Sequence, residues 1–281
     1  MDIHIVSDTD QVEGVLNYLA SSAERPVLYN DAYELPEGSP RWTVKNDPHT
    51  VPIRNVRPFA RRLSLDREGF VLRQHPTMVR NFYDPDEVKR VYWPEIETLV
   101  KESTGAAAAV VFDTTVRVAE PGERGLRGPA RRVHNDYTDR SGPQRVRDLL
   151  GEAATTLIRH RFAEINVWRP IKGPLLDSPL ALCDAQTIAP EDFVATDLKY
   201  PNRTGETYSV LFNPRHRWYY FPKLERDEAV LIKCYDSERD GRARFTAHTA
   251  FDDPTTPPDA PPRESIEARA LVFFASPTRA A

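Results

Sequence analysis

Three residues of this chain have the types and spacing that hold a metal ion. His134 and Asp136 lie in Arg132-Val133-His134-Asn135-Asp136-Tyr137-Thr138, and His248 follows 112 residues after Asp136 in Phe245-Thr246-Ala247-His248-Thr249-Ala250-Phe251. Side chains i and i+2 of a strand share one face. His134 and Asp136 can therefore bind one ion while Asn135 turns away. Two imidazoles and one carboxylate, with no thiolate, suit Fe(II) and leave positions open for a chelating 2-oxoacid and O2. Zinc accepts the same donors, but a zinc hydrolase needs a general base of the His-Glu-x-x-His kind, and the chain has no such motif. Asp136 fills the position that a halogenase leaves empty for halide.

The other histidines are poorer third ligands. His4, His49 and His75 precede the strand-rich part, His160 falls in a helical pattern, and His216 stands between Arg215 and Arg217. A 2-oxoacid with a distal carboxylate needs a cation, and the planar fork of arginine binds carboxylate through two bonds. Arg263 lies 15 residues after His248, and Ser265 follows on the same strand face. Arg269 shares that face and is the second candidate for the same task.

The elements that must position these residues are mostly strands. Apolar or alternating runs cover Ala106–Ala119, Phe162–Trp168, Leu180–Cys183, Glu206–Asn213, His216–Pro222, Ala229–Tyr235 and Ser265–Ala275. Those at 206–213 and 216–222 read as a hairpin through Asn213-Pro214, and Leu63–Leu72 as another. Roughly eight to ten short β segments with frequent turns indicate a sandwich or barrel of the double-stranded β-helix kind, jelly roll and cupin-like. Three helices are expected around it. One covers Gln11–Glu24, with Val12, Val15, Leu16 and Leu19 at helical spacing. A second starts at Asp84-Pro85, runs to about Ser103 and is interrupted near Pro94. A third runs from Gln144 to about Arg161. Residues 26–60 read as irregular. Residues 120–130, rich in Gly and Pro, read as a flexible loop able to order over substrate. The expected organisation is one domain over 1–281, with an N-terminal arm or cover over 1–60 and the β-helix core over 106–281.

Composition narrows the remaining classes. A net charge of -4 over 281 residues gives no electrostatic footprint for nucleic acid or anionic membrane. No apolar run reaches about 18 residues, the length that crosses a bilayer, and the N-terminus lacks a signal-peptide pattern. Two cysteines, Cys183 and Cys234, make no disulfide scaffold; they read as buried thiols of a cytoplasmic protein. The expected partner is a small-molecule substrate.

Longer stretches carry a resemblance. Val133–Thr138, Ile165-Asn166-Val167-Trp168-Arg169-Pro170-Ile171, Leu231–Ser237, Ala243–Phe251 and Arg263–Arg269 are similar to the hydroxylase/desaturase family that includes cephamycin 7-hydroxylase, the fungal gibberellin desaturase and fungal secondary-metabolite hydroxylases. The resemblance runs from about residue 60 to the C-terminus. It implies an Fe(II)- and 2-oxoglutarate-dependent dioxygenase using O2, with His134, Asp136 and His248 on iron and Arg263, Ser265 or Arg269 on 2-oxoglutarate. Oxidative decarboxylation to succinate would supply the oxidant that takes hydrogen from a C–H bond, giving hydroxylation, desaturation or cyclisation. Asn166, Trp168 and Arg169 are candidate pocket residues. Tyr137 and Tyr235 are candidates for hydrogen bonds near the metal. Two other readings stay open at this point. One is a cupin-like metal dioxygenase without 2-oxoglutarate. The other is a β-sandwich binding module, in which His134, Asp136 and His248 would not cluster.

Overall fold

The apolar runs become strands, and some of these are buried along their whole length. The computed structural model describes residues 10–30, 33–119 and 126–275. In chain order its elements are β1 (Gln11–Leu19), β2 (Val27–Tyr29), β3 (Asn46–Asn55), β4 (Phe70–Gln74), α1 (Pro85–Glu87), α2 (Trp93–Thr104), β5 (Ala108–Val118), β6 (His134–Asn135), α3 (Ser141–Leu150), α4 (Ala154–Leu157), β7 (Phe162–Pro170), β8 (Leu180–Cys183), β9 (Phe193–Lys199), β10 (Thr204–Val210), β11 (Trp218–Tyr220), β12 (Glu228–Asp236), β13 (His248–Ala250) and β14 (Glu264–Phe273). Every residue of β7 and of β12 is buried. That is the mark of strands covered on both faces.

The strands form two sheets. A nine-stranded sheet has the order β1-β3-β11-β8-β13-β6-β10-β9-β2, and a five-stranded sheet the order β4-β12-β7-β14-β5. The fold is mainly β with flanking helices, a double-stranded β-helix or jelly roll. α2 packs on β5 and β14 and closes the outer face of the five-stranded sheet. Tyr92, Ile96 and Val100 meet Ile165 and Val167 in the larger core. Each such side chain contributes about 1.5–3 kcal/mol by leaving water.

The helix expected over Gln11–Glu24 is instead β1, antiparallel to β3. Gly14, Leu16 and Tyr18 are buried in alternation, while Val15, part of the expected helical stripe, is 52% exposed. Gly14 is where the strand approaches its neighbours: a Cβ there would sit 2.6 Å from Ile53 Cδ1 and 2.9 Å from Phe251. β3 in turn runs parallel to β11, so residues 11–19 and 46–55 extend the large sheet rather than forming an irregular arm. The two expected hairpins are absent. Leu63–Leu72 turns into β4, which pairs with β12. β10 and β11 are separated by β6, β13 and β8.

The helix at Asp84 forms as expected, with the Asp84 carboxylate accepting from the N–H groups of Asp86 and Glu87. A wide π-type turn over Val88–Tyr92 precedes Pro94, which cannot donate a backbone hydrogen bond. The Gln144–Arg161 pattern is broken at Gly151, whose φ of 53° ends α3 before α4 begins. Residues 120–125 of the expected loop lie outside the described residues.

Candidate metal centre

The large sheet brings two histidines side by side. β6 pairs with β13 so that His134 stands directly opposite His248. Their ring centroids are 4.5 Å apart. Asp136 follows β6, and its Oδ1 lies 3.6 Å from His134 Nε2. One donor atom from each of His134, Asp136 and His248 lies within 4.8 Å of the others. Ligand bonds of about 2.0–2.2 Å put neighbouring donors about 3 Å apart, so small side-chain rotations close this trio on one ion.

Hydrogen bonds fix the tautomers. His134 Nδ1 lies 2.7 Å from the Arg132 carbonyl, and His248 Nδ1 lies 3.0 Å from the Thr246 carbonyl. A carbonyl only accepts, so each Nδ1 carries the proton and each Nε2 presents a bare lone pair. The His248 residue is 3% exposed, and its Nε2 is buried with no hydrogen-bond partner among the described residues. A buried acceptor left so costs about 1–3 kcal/mol unless something binds it. Burial, and then the neighbouring His248, push His134 down to about 4. Its imidazole is thus neutral and able to ligate at neutral pH. The chemistry of the donor set fits a divalent first-row metal such as Fe(II).

Asp136 is aimed by its neighbours. Its Oδ2 accepts from Asn166 Nδ2 at 2.8 Å and from Arg269 Nε at 2.9 Å, leaving Oδ1 toward the histidines. Burial would raise its pKa, but Arg269, followed by the histidines, overrides this and holds the carboxyl well below the usual carboxylate range. Asn135, read only as turning away, is a residue that the sequence left unused. It is fully buried. Its Nδ2 donates to the carbonyls of Tyr137 and Cys234, and its Oδ1 accepts from Thr246 N–H at 3.1 Å. One amide thereby ties the His-x-Asp segment to β12 and to the chain entering His248. Alternation of buried and exposed positions gave no hint of it, because both neighbours are functional in type.

The two candidate arginines, Arg263 just before β14 and Arg269 within it, stand in opposite settings. Arg269 is saturated: besides Asp136 it meets Asp113 at 2.8 Å and Glu267 at 2.5 Å. Burial would lower its pKa, yet Glu267, then Asp136, hold it well above the usual value. Arg263 is 3% exposed and forms no carboxylate ion pair among the described residues. It donates to Ser265 Oγ at 3.0 Å and to the Ser178 carbonyl at 2.8 Å. Its guanidinium carbon stands 4.9 Å over the Trp168 ring. Burial first, and nearby Arg117 next, bring it down to about 9, still a cation at neutral pH. A buried cation without an anion is a seat for one.

The remaining sequence candidates divide. Asn166 and Trp168 share the inner face of β7, one against Asp136 and the other against Arg263. Arg169 is a correction: one residue on, strand parity turns it to the outer face, where it lies over Tyr92. Tyr235 packs on Phe162, with centroids 5.3 Å apart, and closely against Gly142 of α3. It is core packing. Tyr137 is buried, and burial, then Glu164, push its phenol well up. Glu164 itself was not singled out by the sequence. It shares the inner face with Asn166, both its carboxyl oxygens are buried without a partner among the described residues, and burial raises its pKa well above the usual value.

Fold and donor set together define a jelly-roll metal oxygenase class. Comparison with known proteins gives the family. The family model described as "Oxidoreductase/YMDC permease-like domain" matches residues 16–273. The chain is 37% identical over 246 residues to the Fe(II)/2-oxoglutarate-dependent dioxygenase nvfI of Aspergillus novofumigatus, covering 83% of this chain and 84% of the relative. It is 32% identical over 273 residues to the alpha-ketoglutarate-dependent dioxygenase phiK of a fungal species, covering 94% and 96%. The solved structure of the iron and alpha-ketoglutarate-dependent endoperoxidase NvfI superposes with a TM-score of 0.87 at 32% identity, over 96% of this chain and 100% of that one. The chain belongs to the Fe(II)/2-oxoglutarate-dependent dioxygenase family, and it is an oxidoreductase using Fe(II), 2-oxoglutarate and O2. Among the described residues no helix is long and apolar enough to cross a membrane.

Proposed function

We propose that His134, Asp136 and His248 are the iron ligands of this dioxygenase, and that Arg263 with Ser265 holds the distal carboxylate of 2-oxoglutarate. The observation that carries the reading is the bare, buried Nε2 of His248 facing His134 and Asp136. Arg263 is preferred over Arg269 because Arg269 is already paired with three carboxylates, while Arg263 pairs with none among the described residues. Arg269 and Asn166 act as positioning residues, fixing Asp136 so that one oxygen stays free. Bound iron, with 2-oxoglutarate and O2, supplies the oxidant for an unactivated C–H bond.

The substrate in this reading is a small organic molecule, and the outcome is hydroxylation, desaturation or ring formation. The names of the relatives support that range: hydroxylase/desaturase for efuI of Hormonema carpetanum and endoperoxidase for the solved neighbour. One catalytic domain is favoured by a single family match spanning 16–273. The free buried thiols Cys183 and Cys234 suit a reducing compartment such as the cytoplasm.

The test is anaerobic. Fe(II)-loaded protein titrated with 2-oxoglutarate develops the visible charge-transfer band of a chelated 2-oxoacid. His248→Ala removes iron binding and the band together. Iron binding without any band in the unmodified protein would count against the 2-oxoglutarate seat.

A further inference from the structure

The outer face of β7 carries a second buried arginine with no acid. Arg169 is 0% exposed, and its surroundings repeat those of Arg263 on the other side of the same sheet. Its guanidinium carbon is 5.7 Å from the Tyr92 ring centroid, as Arg263 stands over Trp168. Its Nη2 donates to one carbonyl, that of His75, as Arg263 donates to Ser178. No carboxylate forms an ion pair with it among the described residues. Two acids, Glu95 and Asp227, act on its charge from a distance without pairing with it; the Glu95 oxygens accept instead from Thr77 Oγ1 at 2.6 Å and Met78 N–H at 2.9 Å. Arg226 adds a further positive charge on that side.

Polar atoms around Arg169 are left open. Its own Nε and Nη1, the hydroxyl of Tyr92 and Nδ1 of His75 are buried without hydrogen-bond partners among the described residues. Arg169 lies over the Tyr92 ring, bonds the His75 backbone and acts electrostatically on the His75 ring. Tyr92 itself is 0% exposed and ends the wide π-type turn over Val88–Tyr92, a distortion that recurs at ligand sites. A fully buried guanidinium without a counter-charge costs several kcal/mol. The tyrosine face offsets only part of this. Water can satisfy the open donors but leaves the charge uncompensated.

We propose that Arg169 and Tyr92 form a binding site for a small monovalent anion on the outer face of the five-stranded sheet. The guanidinium supplies the charge and an N–H, and the phenol supplies the O–H. The site joins β7 to the helical segment before α2. It lies three residues from Asn166, which holds Asp136. It is independent of the metal centre and stands or falls without it.

Two measurements decide this on the intact chain. Crystals grown without halide are soaked in sodium bromide and measured at the bromine absorption edge. The melting temperature is followed as sodium chloride replaces sodium gluconate at constant ionic strength. The expected results are an anomalous peak in hydrogen-bond contact with Arg169 and Tyr92 Oη, and a melting temperature that climbs with chloride and saturates. Tyr92→Phe keeps the ring under the guanidinium and removes only the hydroxyl. It moves the midpoint of the chloride titration up by about tenfold, the value of one hydrogen bond to a charged group. Arg169→Met abolishes the chloride response; should that variant not fold, Tyr92→Phe carries the decision. Ordered water with no bromine peak at Arg169 overturns the proposal, as does a chloride response that Tyr92→Phe leaves unchanged.

Discussion

Two arginines, Arg263 just before β14 and Arg269 within it, teach opposite lessons about a charge held inside the protein. At Arg269 the charge is spent inside the protein, on Asp136, Asp113 and Glu267. At Arg263, six residues earlier, a serine hydroxyl, a carbonyl and an indole face surround the charge, and no carboxylate among the described residues forms an ion pair with it. The first arrangement stiffens a ligand. The second waits for one. Residue type and strand parity are identical at the two positions, so only the neighbours distinguish structure from recognition.

The contrast can be broken most forcefully at the metal. Asp136→Ala is expected to abolish stoichiometric Fe(II) binding, measured by metal analysis after desalting, while circular dichroism stays that of the unmodified protein. Retained iron would remove Asp136 from the ligand set. Next in size is Arg269→Met. It strips the cation from half-buried Asp136 and buried Glu267, and urea unfolding should show a loss of about 3 kcal/mol. Arg263→Met is the mirror experiment. The apoprotein should be at least as stable as before, since an uncompensated charge is gone, while 2-oxoglutarate affinity falls by roughly 100-fold, about 3 kcal/mol. If the two variants behave alike, the distinction between the arginines is wrong.

Smaller effects sharpen it. His134 titrates near 6.5 in an unfolded chain and at about 4 when folded. As pH falls from about 6.5 to about 4, the unfolded apoprotein takes up the proton first, and stability drops by up to about 3 kcal/mol. His134→Gln should flatten that part of the stability–pH curve. Ser265→Ala removes one hydrogen bond to the guanidinium and should weaken 2-oxoglutarate by about fivefold, about 1 kcal/mol, without touching iron.

Much of this site was legible before any coordinates, because metal ligands advertise themselves by type. His134-x-Asp136 works at strand spacing, and the other five histidines lay in poorer contexts. β12 was also legible as an apolar run, the pattern of a strand buried on both faces, and β7 and β14 were legible from alternating or mixed apolar patterns. What stayed hidden was nonlocal. Val12, Val15, Leu16 and Leu19 fit a helical stripe, and only the close approach of Ile53 and Phe251 to Gly14 reveals a strand. β10 and β11 looked like a hairpin because they are neighbours in sequence, yet three strands from elsewhere in the chain stand between them. Asn135 could not be read because its partners, Cys234 and Thr246, lie about a hundred residues away. The states of Arg263 and Arg269 could not be read for the same reason.

The direct pairing of His134 with His248 across β6 and β13 has a consequence for how the protein matures. Facing residues of antiparallel strands are held about 4.5–5.5 Å apart by the backbone ladder, whether or not an ion is present. Zinc-finger domains gain their fold from the metal; this jaw is already set when the chain is metal-free. A preset gap also gives little protection against more tightly bound ions higher in the first-row affinity series. What the gap leaves undecided falls to the donors, and two imidazoles and a carboxylate suit a borderline first-row ion rather than a soft one.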